Sequence, residues 1–143
     1  MSRNFSYRII INRQSPTVIV KEKCQYIRRR VNRIKNHSTI YDYPSCAVGC
    51  RRIKSNELFI ETSRAHTDYS RTPALKTALE NLGIIGTVSY GNRIGWCAEP
   101  NAARSVIISF SCGLNQLCFT ETIRPRTLEK IAYCKNCKNV FKL

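Results

Sequence analysis

The sequence predicts an α/β domain with a mixed central sheet flanked by helices, and three observations carry that prediction. Short runs rich in β-branched and aromatic residues recur along the chain, among them Glu57 to Ser63, Ile84 to Tyr90 and Leu117 to Ile123, as strands require. Stretches with apolar residues at helical spacing separate them. The chain is 143 residues long, enough for one ordinary domain with a real core, and no internal repeat, low-complexity segment or domain boundary divides it. Within this single domain, residues 1–44 read as a basic N-terminal hairpin and helix region and residues 45–143 as the core that carries the cysteine motifs.

Phe5 to Ile11 and Thr17 to Val20 are two β-branched runs separated by Asn12 to Pro16, which predicts a hairpin; the alternative is that the second run opens the helix that follows. From Glu22 to Lys35 the apolar residues Cys24, Ile27, Val31 and Ile34 repeat with helical period, one buried stripe on a helix. The opposite face carries Arg28, Arg29, Arg30, Arg33 and Lys35, either a solvated surface or a phosphate contact. His37 to Ser45 reads as a loop in which Tyr41 and Tyr43 pack over the core or offer a face to a base. Cys46 to Ile53 and Glu57 to Ser63 form a hairpin around Lys54 to Asn56, with Cys46 and Cys50 as small core residues on one face.

Arg64 to Thr72 is a polar loop, and Pro73 to Leu82 a short helix with Thr72 as N-cap, Pro73 in the first turn and Gly83 at its end. A strand at Ile84 to Tyr90 and a turn at Gly91 to Arg93 lead to a helix opened by Cys97, whose first turn tolerates Pro100. Ser111 to Asn115 is a connection and Leu117 to Ile123 an alternating strand, after which Leu128 to Leu143 brings in paired cysteines and a short basic helix.

Lys and Arg number 24 against 9 Asp and Glu, a formal charge of +15. At this size the balance argues for a polyanion partner, of which nucleic acid is the commonest; a solubilising surface is the plain alternative. No membrane partner is expected, because no long apolar span or lipid-binding amphipathic segment is present. The eight cysteines are irregularly spaced, which suits a reducing environment better than a secreted disulfide scaffold. Met1 to Asn12 lacks the apolar run and cleavage site of a signal peptide.

Cys97-Ala98-Glu99 and Cys134-Lys135-Asn136-Cys137 have the spacing to hold one zinc ion on three thiolates, with a glutamate beside the metal that need not ligate it. Zinc with three protein ligands and an open position lowers the pKa of its bound water to about 7, and a neighbouring carboxylate can carry protons. Both motifs fall at expected helix starts, whose free amides and positive dipole end favour thiolate. The competing reading is a structural zinc closed by a fourth cysteine, Cys112 or Cys118.

These residues resemble the zinc-dependent cytidine deaminase superfamily, in the variant where cysteine replaces the first-ligand histidine. Arg124-Pro125-Arg126-Thr127 ahead of the paired cysteines, with Val140-Phe141 after them, resembles the deaminases of bacterial polymorphic toxin systems. Tyr133 stands where the family usually has proline before the pair. The resemblance implies a three-layer deaminase fold and hydrolytic deamination of cytosine to uracil, with zinc on Cys97, Cys134 and Cys137 and Glu99 as proton shuttle. It further implies a toxin-like protein acting in the cytoplasm of a target cell, delivered as part of a larger secreted chain and matched by a cognate immunity protein.

Around the first ligand the resemblance places substrate contacts at Tyr90, Asn92, His66 and Ala98; the plain readings are a core aromatic, a turn residue and a structural histidine for the first three. Trp96 either floors the pocket or closes the core. Arg124 and Arg126 directly follow a strand and could clamp a phosphate. Three thiolates make the metal a weaker Lewis acid, and Arg104 is the arginine expected to offset this by hydrogen bonding to sulfur. The charge favours nucleic acid, DNA before RNA, over free cytidine. The other readings are a free cytidine or nucleotide deaminase and a non-enzymatic zinc-stabilised nucleic-acid-binding module. A monomer is expected.

Overall fold

Residues 5–34 and 43–143 are described by the computed structural model of the protein; Lys35, Tyr41 and most of the expected loop from His37 lie outside them. The elements are β1 (Ser6–Ile10), α1 (Pro16–Ile34), β2 (Ala47–Arg52), β3 (Glu57–Thr62), α2 (Pro73–Glu80), β4 (Val88–Ser89), β5 (Asn92–Arg93), α3 (Ala98–Phe110), β6 (Leu117–Phe119), β7 (Thr122–Ile123), β8 (Lys130–Ile131) and α4 (Lys135–Phe141). The main sheet runs β1-β3-β2-β7-β8, with β6 also pairing β2. No helix among the described residues is long and apolar enough to cross a membrane.

Alternation along the strands decides the layers. Ala47 of β2, Leu58 and Ile60 of β3 and Ile123 of β7 point to one face, where Ile19, Val20 and Cys24 of α1 cover them. Val48 and Cys50 of β2 and Phe59 of β3 point to the other, against Ala98, Ala102 and Val106 of α3. Leu75 and Leu79 of α2 then pack with Ala103 of α3, Ile94 and Tyr69. The result is helix, sheet and helix in three layers. Gly49 is what lets α1 approach: a Cβ there would stand 2.9 Å from Val20 and 2.9 Å from Leu58.

The sheet is antiparallel in every described pairing, not mixed as expected. β3 and β6 do run in the same direction, because each is antiparallel to β2. The connection through α2 and α3, however, returns the chain on the far side of β2, so the two are never neighbours. Thr17 to Val20 is not a strand: α1 begins at Pro16, the alternative left open above. Ile19, Val20, Cys24, Ile27 and Val31 are all buried, so one continuous helical stripe outweighs the β-propensity of its first turn.

The strand expected over 84–90 is reduced to β4. Gly83 and Gly86 take positive φ, and Ile84 is left 76% exposed, so the adjacent isoleucines form turns rather than an alternating edge. β4 and β5 make a separate two-stranded ribbon around Tyr90 and Gly91, both at positive φ (49° and 81°), as a tight primed hairpin turn requires. α2 stops at Glu80 and its N-cap Thr72 makes no side-chain cap bond; the hydroxyl donates instead to the Tyr69 carbonyl.

The expected strand 117–123 is broken by a bulge. Cys50 pairs with Phe119, yet Ala47, three residues earlier, pairs with Ile123, four residues later. One extra residue is therefore accommodated near Thr120, whose hydroxyl accepts the Gly49 amide at 2.9 Å. A bulge reverses the alternation beyond it. Phe119 faces α3 while Ile123 faces α1, and Thr122 is thereby turned onto the α3 side.

Candidate metal centre

Cys97 and Cys134 are the N-caps of α3 and α4. Their Sγ atoms lie 3.4 Å apart, and Cys137 Sγ is 3.3 Å from Cys134 Sγ. The three sulfurs lie within 4.8 Å of one another and could hold a metal ion. This is the only such group of His, Cys, Asp or Glu among the described residues; neither Cys112 nor Cys118 joins it. The thiol donor set fits a thiophilic ion such as zinc.

The helix starts are fixed by named contacts. Gly95 sits at φ 82°, and a Cβ there would meet Tyr69 and Ile85 at 3.1 Å; its carbonyl accepts the Tyr69 hydroxyl. Asn101, fully buried, donates through Nδ2 to the Cys97 carbonyl at 2.9 Å and accepts the Thr67 hydroxyl through Oδ1. At α4, Cys134 Sγ accepts the Cys137 amide at 3.4 Å. Asn136 donates to the Ser89 carbonyl at 2.8 Å and the Asn92 carbonyl at 3.3 Å, tying α4 to the β4–β5 ribbon.

Glu99 occupies the first turn of α3 and is 3% exposed. Thr122 Oγ1 donates to its Oε1 at 2.7 Å, and Cys137 Sγ donates to its Oε2 at 3.4 Å. Burial is the main reason its carboxyl is pushed above the ordinary value, with the Thr122 bond opposing. Of the three thiols, Cys134 is held well below the ordinary thiol value by its contacts with the Cys137 and Cys97 sulfurs and by the amides of the α4 start. Cys97 and Cys137 are pushed up in return, each chiefly through its bond to Cys134.

Cys97 opens onto a cleft of about 460 Å³ lined also by Asn92, Trp96, Arg64, Arg93, Tyr43 and Cys46. Asn92 and Trp96 thus line the same cleft as Cys97. The His66 ring packs against Trp96 with centroids 5.1 Å apart, while the Arg93 guanidinium lies 5.1 Å from the same ring. Tyr90 is at the exposed ribbon tip, 60% exposed, under the Lys135 ammonium and away from the cleft lining. Ala98 is buried in the core, with its amide on the Cys46 sulfur.

Arg124 and Arg126 belong to the β7–β8 turn and neither lines the cleft. Arg104 does not reach sulfur: its Nε donates to the Asp68 carbonyl at 2.7 Å. Cys46 lies beside the cluster but outside it, its thiol pushed up to about 12 mainly by burial. Thr122 and Asn101 were not visible as site residues in the sequence. The signal for Asn101 is a buried amide one turn into a helix; for Thr122 there is none, because the bulge sets its side.

Comparison with protein-family models, with curated proteins and with solved structures finds no match for this chain.

Proposed function

We propose that the protein is a zinc-dependent cytosine deaminase acting on nucleic acid, DNA before RNA, of the toxin type matched by an immunity protein. The observation that carries this reading is Glu99: a carboxylate buried in the first turn of α3, with Oε2 at 3.4 Å from the sulfur of Cys137, beside a three-thiol cluster that opens on a cleft. A structural site has no use for a buried acid at that position, and taking a carboxyl out of water is costly even with the Thr122 and Cys137 bonds it accepts.

Cys97, Cys134 and Cys137 would hold the zinc, which when bound supplies water with a pKa near 7. Glu99 would take a proton from a water at Oε2 and hand it to the ring nitrogen of cytosine as the water oxygen bonds to the neighbouring amine-bearing carbon. The same carboxylate would then carry the proton of the new hydroxyl to the exocyclic amine, so that the carbon–nitrogen bond breaks, ammonia leaves and uracil remains. Thr122 fixes Oε1 of Glu99, which leaves Oε2, on the Cys137 side, as the oxygen that would work. Trp96, with His66 packed against it, offers an apolar wall for the base, and burial raises the proton affinity of Glu99 above that of an ordinary carboxylate.

The test is uracil formation in single-stranded DNA, double-stranded DNA and RNA by the zinc-loaded protein, with Glu99→Gln alongside. Uracil from the parent and a rate lower by about 10²–10⁴ from the variant, with zinc retained, is the expected result. No uracil from any substrate with zinc bound would overturn the reading.

A further inference from the structure

On the α3 side of the sheet a second hollow, about 340 Å³, is lined by Arg8, Arg71 and Arg104 together with Ser105, Ser109 and Glu61. Glu61 is sealed beneath it at 3% exposure, its Oε1 accepting the Ser6 hydroxyl at 2.6 Å and the Ser105 hydroxyl at 2.8 Å. The Ser6 and Ser105 protons are thus spent on Glu61, and what the hollow presents outward is guanidinium with the Ser109 hydroxyl, donors that take phosphate oxygens. Arg71 appears in neither of the described ion pairs, Arg8–Glu57 and Lys130–Glu121. Arg104 spends only its Nε, on Asp68.

The hollow is joined to the metal cleft by the 64–71 loop, which lies along α3. The Arg64 amide donates to the Trp96 carbonyl, Thr67 to Asn101, and Arg104 back to Asp68. Ser63, Arg64 and Ala65 line the cleft and Arg71 lines the hollow. From Cys97 to Arg104 the helix rises roughly 10 Å at about 1.5 Å per residue. At about 3.4 Å per phosphate along a stacked strand, that is a reach of roughly three nucleotides. By contrast, Arg28, Arg29, Arg30 and Arg33 are exposed on α1, and α1 packs on the opposite face of the sheet.

Resting on the deaminase reading above, we infer that Arg71 and Arg104, with Arg8, bind backbone phosphates of a single nucleic-acid strand whose target base enters the Cys97 cleft. The arginines of α1 do not lie on that path. The strand is clamped a few nucleotides from the reacting base, on the same face as the metal centre.

Binding of a cytosine-containing single-stranded DNA to the zinc-loaded Glu99→Gln protein is titrated across salt concentration, with the matching RNA in parallel. R71A/R104A should reduce the slope of log affinity against log salt by about 1.4, two contacts at about 0.7 each for a single strand. R28A/R29A removes the same charge and should change it by less than half as much. Should loss of the Asp68 bond unfold the double variant, R71A alone reads as a change of about 0.7. An equal or larger effect from the α1 pair, an unchanged slope in R71A, or no binding of either strand overturns the inference. Uracil formed by the active protein with an unchanged slope removes this clamp and leaves the deaminase reading intact; the slopes as expected with no uracil formed do the reverse.

Discussion

α3 and α4 begin in almost the same way and do different work. Cys97 has φ −68° and ψ 161°, Cys134 φ −68° and ψ 158°, so the backbone delivers both thiols identically to the ends of two helices. At α4 the sulfur is turned inward as a true cap, accepting the Cys137 amide, and the next ligand follows on the same turn. At α3 the sulfur makes no cap bond, and the first turn carries Glu99 instead of a second ligand. The longer helix is anchored by Ala98, Ala102 and Val106 in the core and can hold a buried acid. The shorter one, of 7 residues, depends on its cysteines and on Asn136. One helix start carries a buried acid and the other a second thiol.

The largest effect that sharpens this contrast comes from the cysteines. Cys134→Ala removes a ligand and a cap together, so zinc stoichiometry should fall to near zero. The metal-free melting temperature should fall as well, by the equivalent of about 0.5–2 kcal/mol for the lost cap. Cys97→Ala should lose the metal equally but leave metal-free stability close to the parent. Atomic absorption and thermal unfolding in chelator read the two parts, and equal stability losses would erase the distinction.

Acid should act next. Zinc must displace protons from Cys97 and Cys137, both raised above the ordinary thiol value, so affinity rises with pH and falls as thiols reprotonate. The thermal stabilisation given by zinc should be larger at about pH 8 than at about pH 6; a flat response would mean the thiols are not the ligands.

Asn101 and Asn136 hold the two starts in place. Asn101→Ala leaves the Cys97 carbonyl and the Thr67 hydroxyl without a buried partner and should cost about 1–3 kcal/mol in unfolding. Asn136→Ala should cost less, because its Oδ1 is already without a hydrogen bond. Thr122→Val frees one oxygen of Glu99 and should lower kcat roughly tenfold, about the value of one charged hydrogen bond, with zinc content unchanged. Thr122→Ser should restore the rate; a Ser variant as slow as Val would make the role one of packing.

The two helix starts were legible because cysteine spacing and helix signals are local, and Pro73, Gly83 and the buried stripe of α1 likewise announce themselves in a few residues. What could not be read depends on pairing across distance. The antiparallel sheet follows from which side of β2 the chain returns to. The bulge at Thr120 exists only against Gly49, and it alone decides that Thr122 meets Glu99. The opening of α1 at Pro16 required knowing that Ile19 and Val20 are covered by strands up to about a hundred residues away, Ile123 among them. Arg71 and Arg104 are ordinary surface residues in sequence and become neighbours only where the 64–71 loop lies along α3.

X-ray absorption at the zinc edge of the loaded protein tests the central claim most directly, since an active centre and a structural one differ in the fourth neighbour. The account predicts three sulfurs and one lighter atom, unchanged in Cys46→Ser. Four sulfurs, falling to three when Cys46 is replaced, would contradict it and make the site a closed structural one.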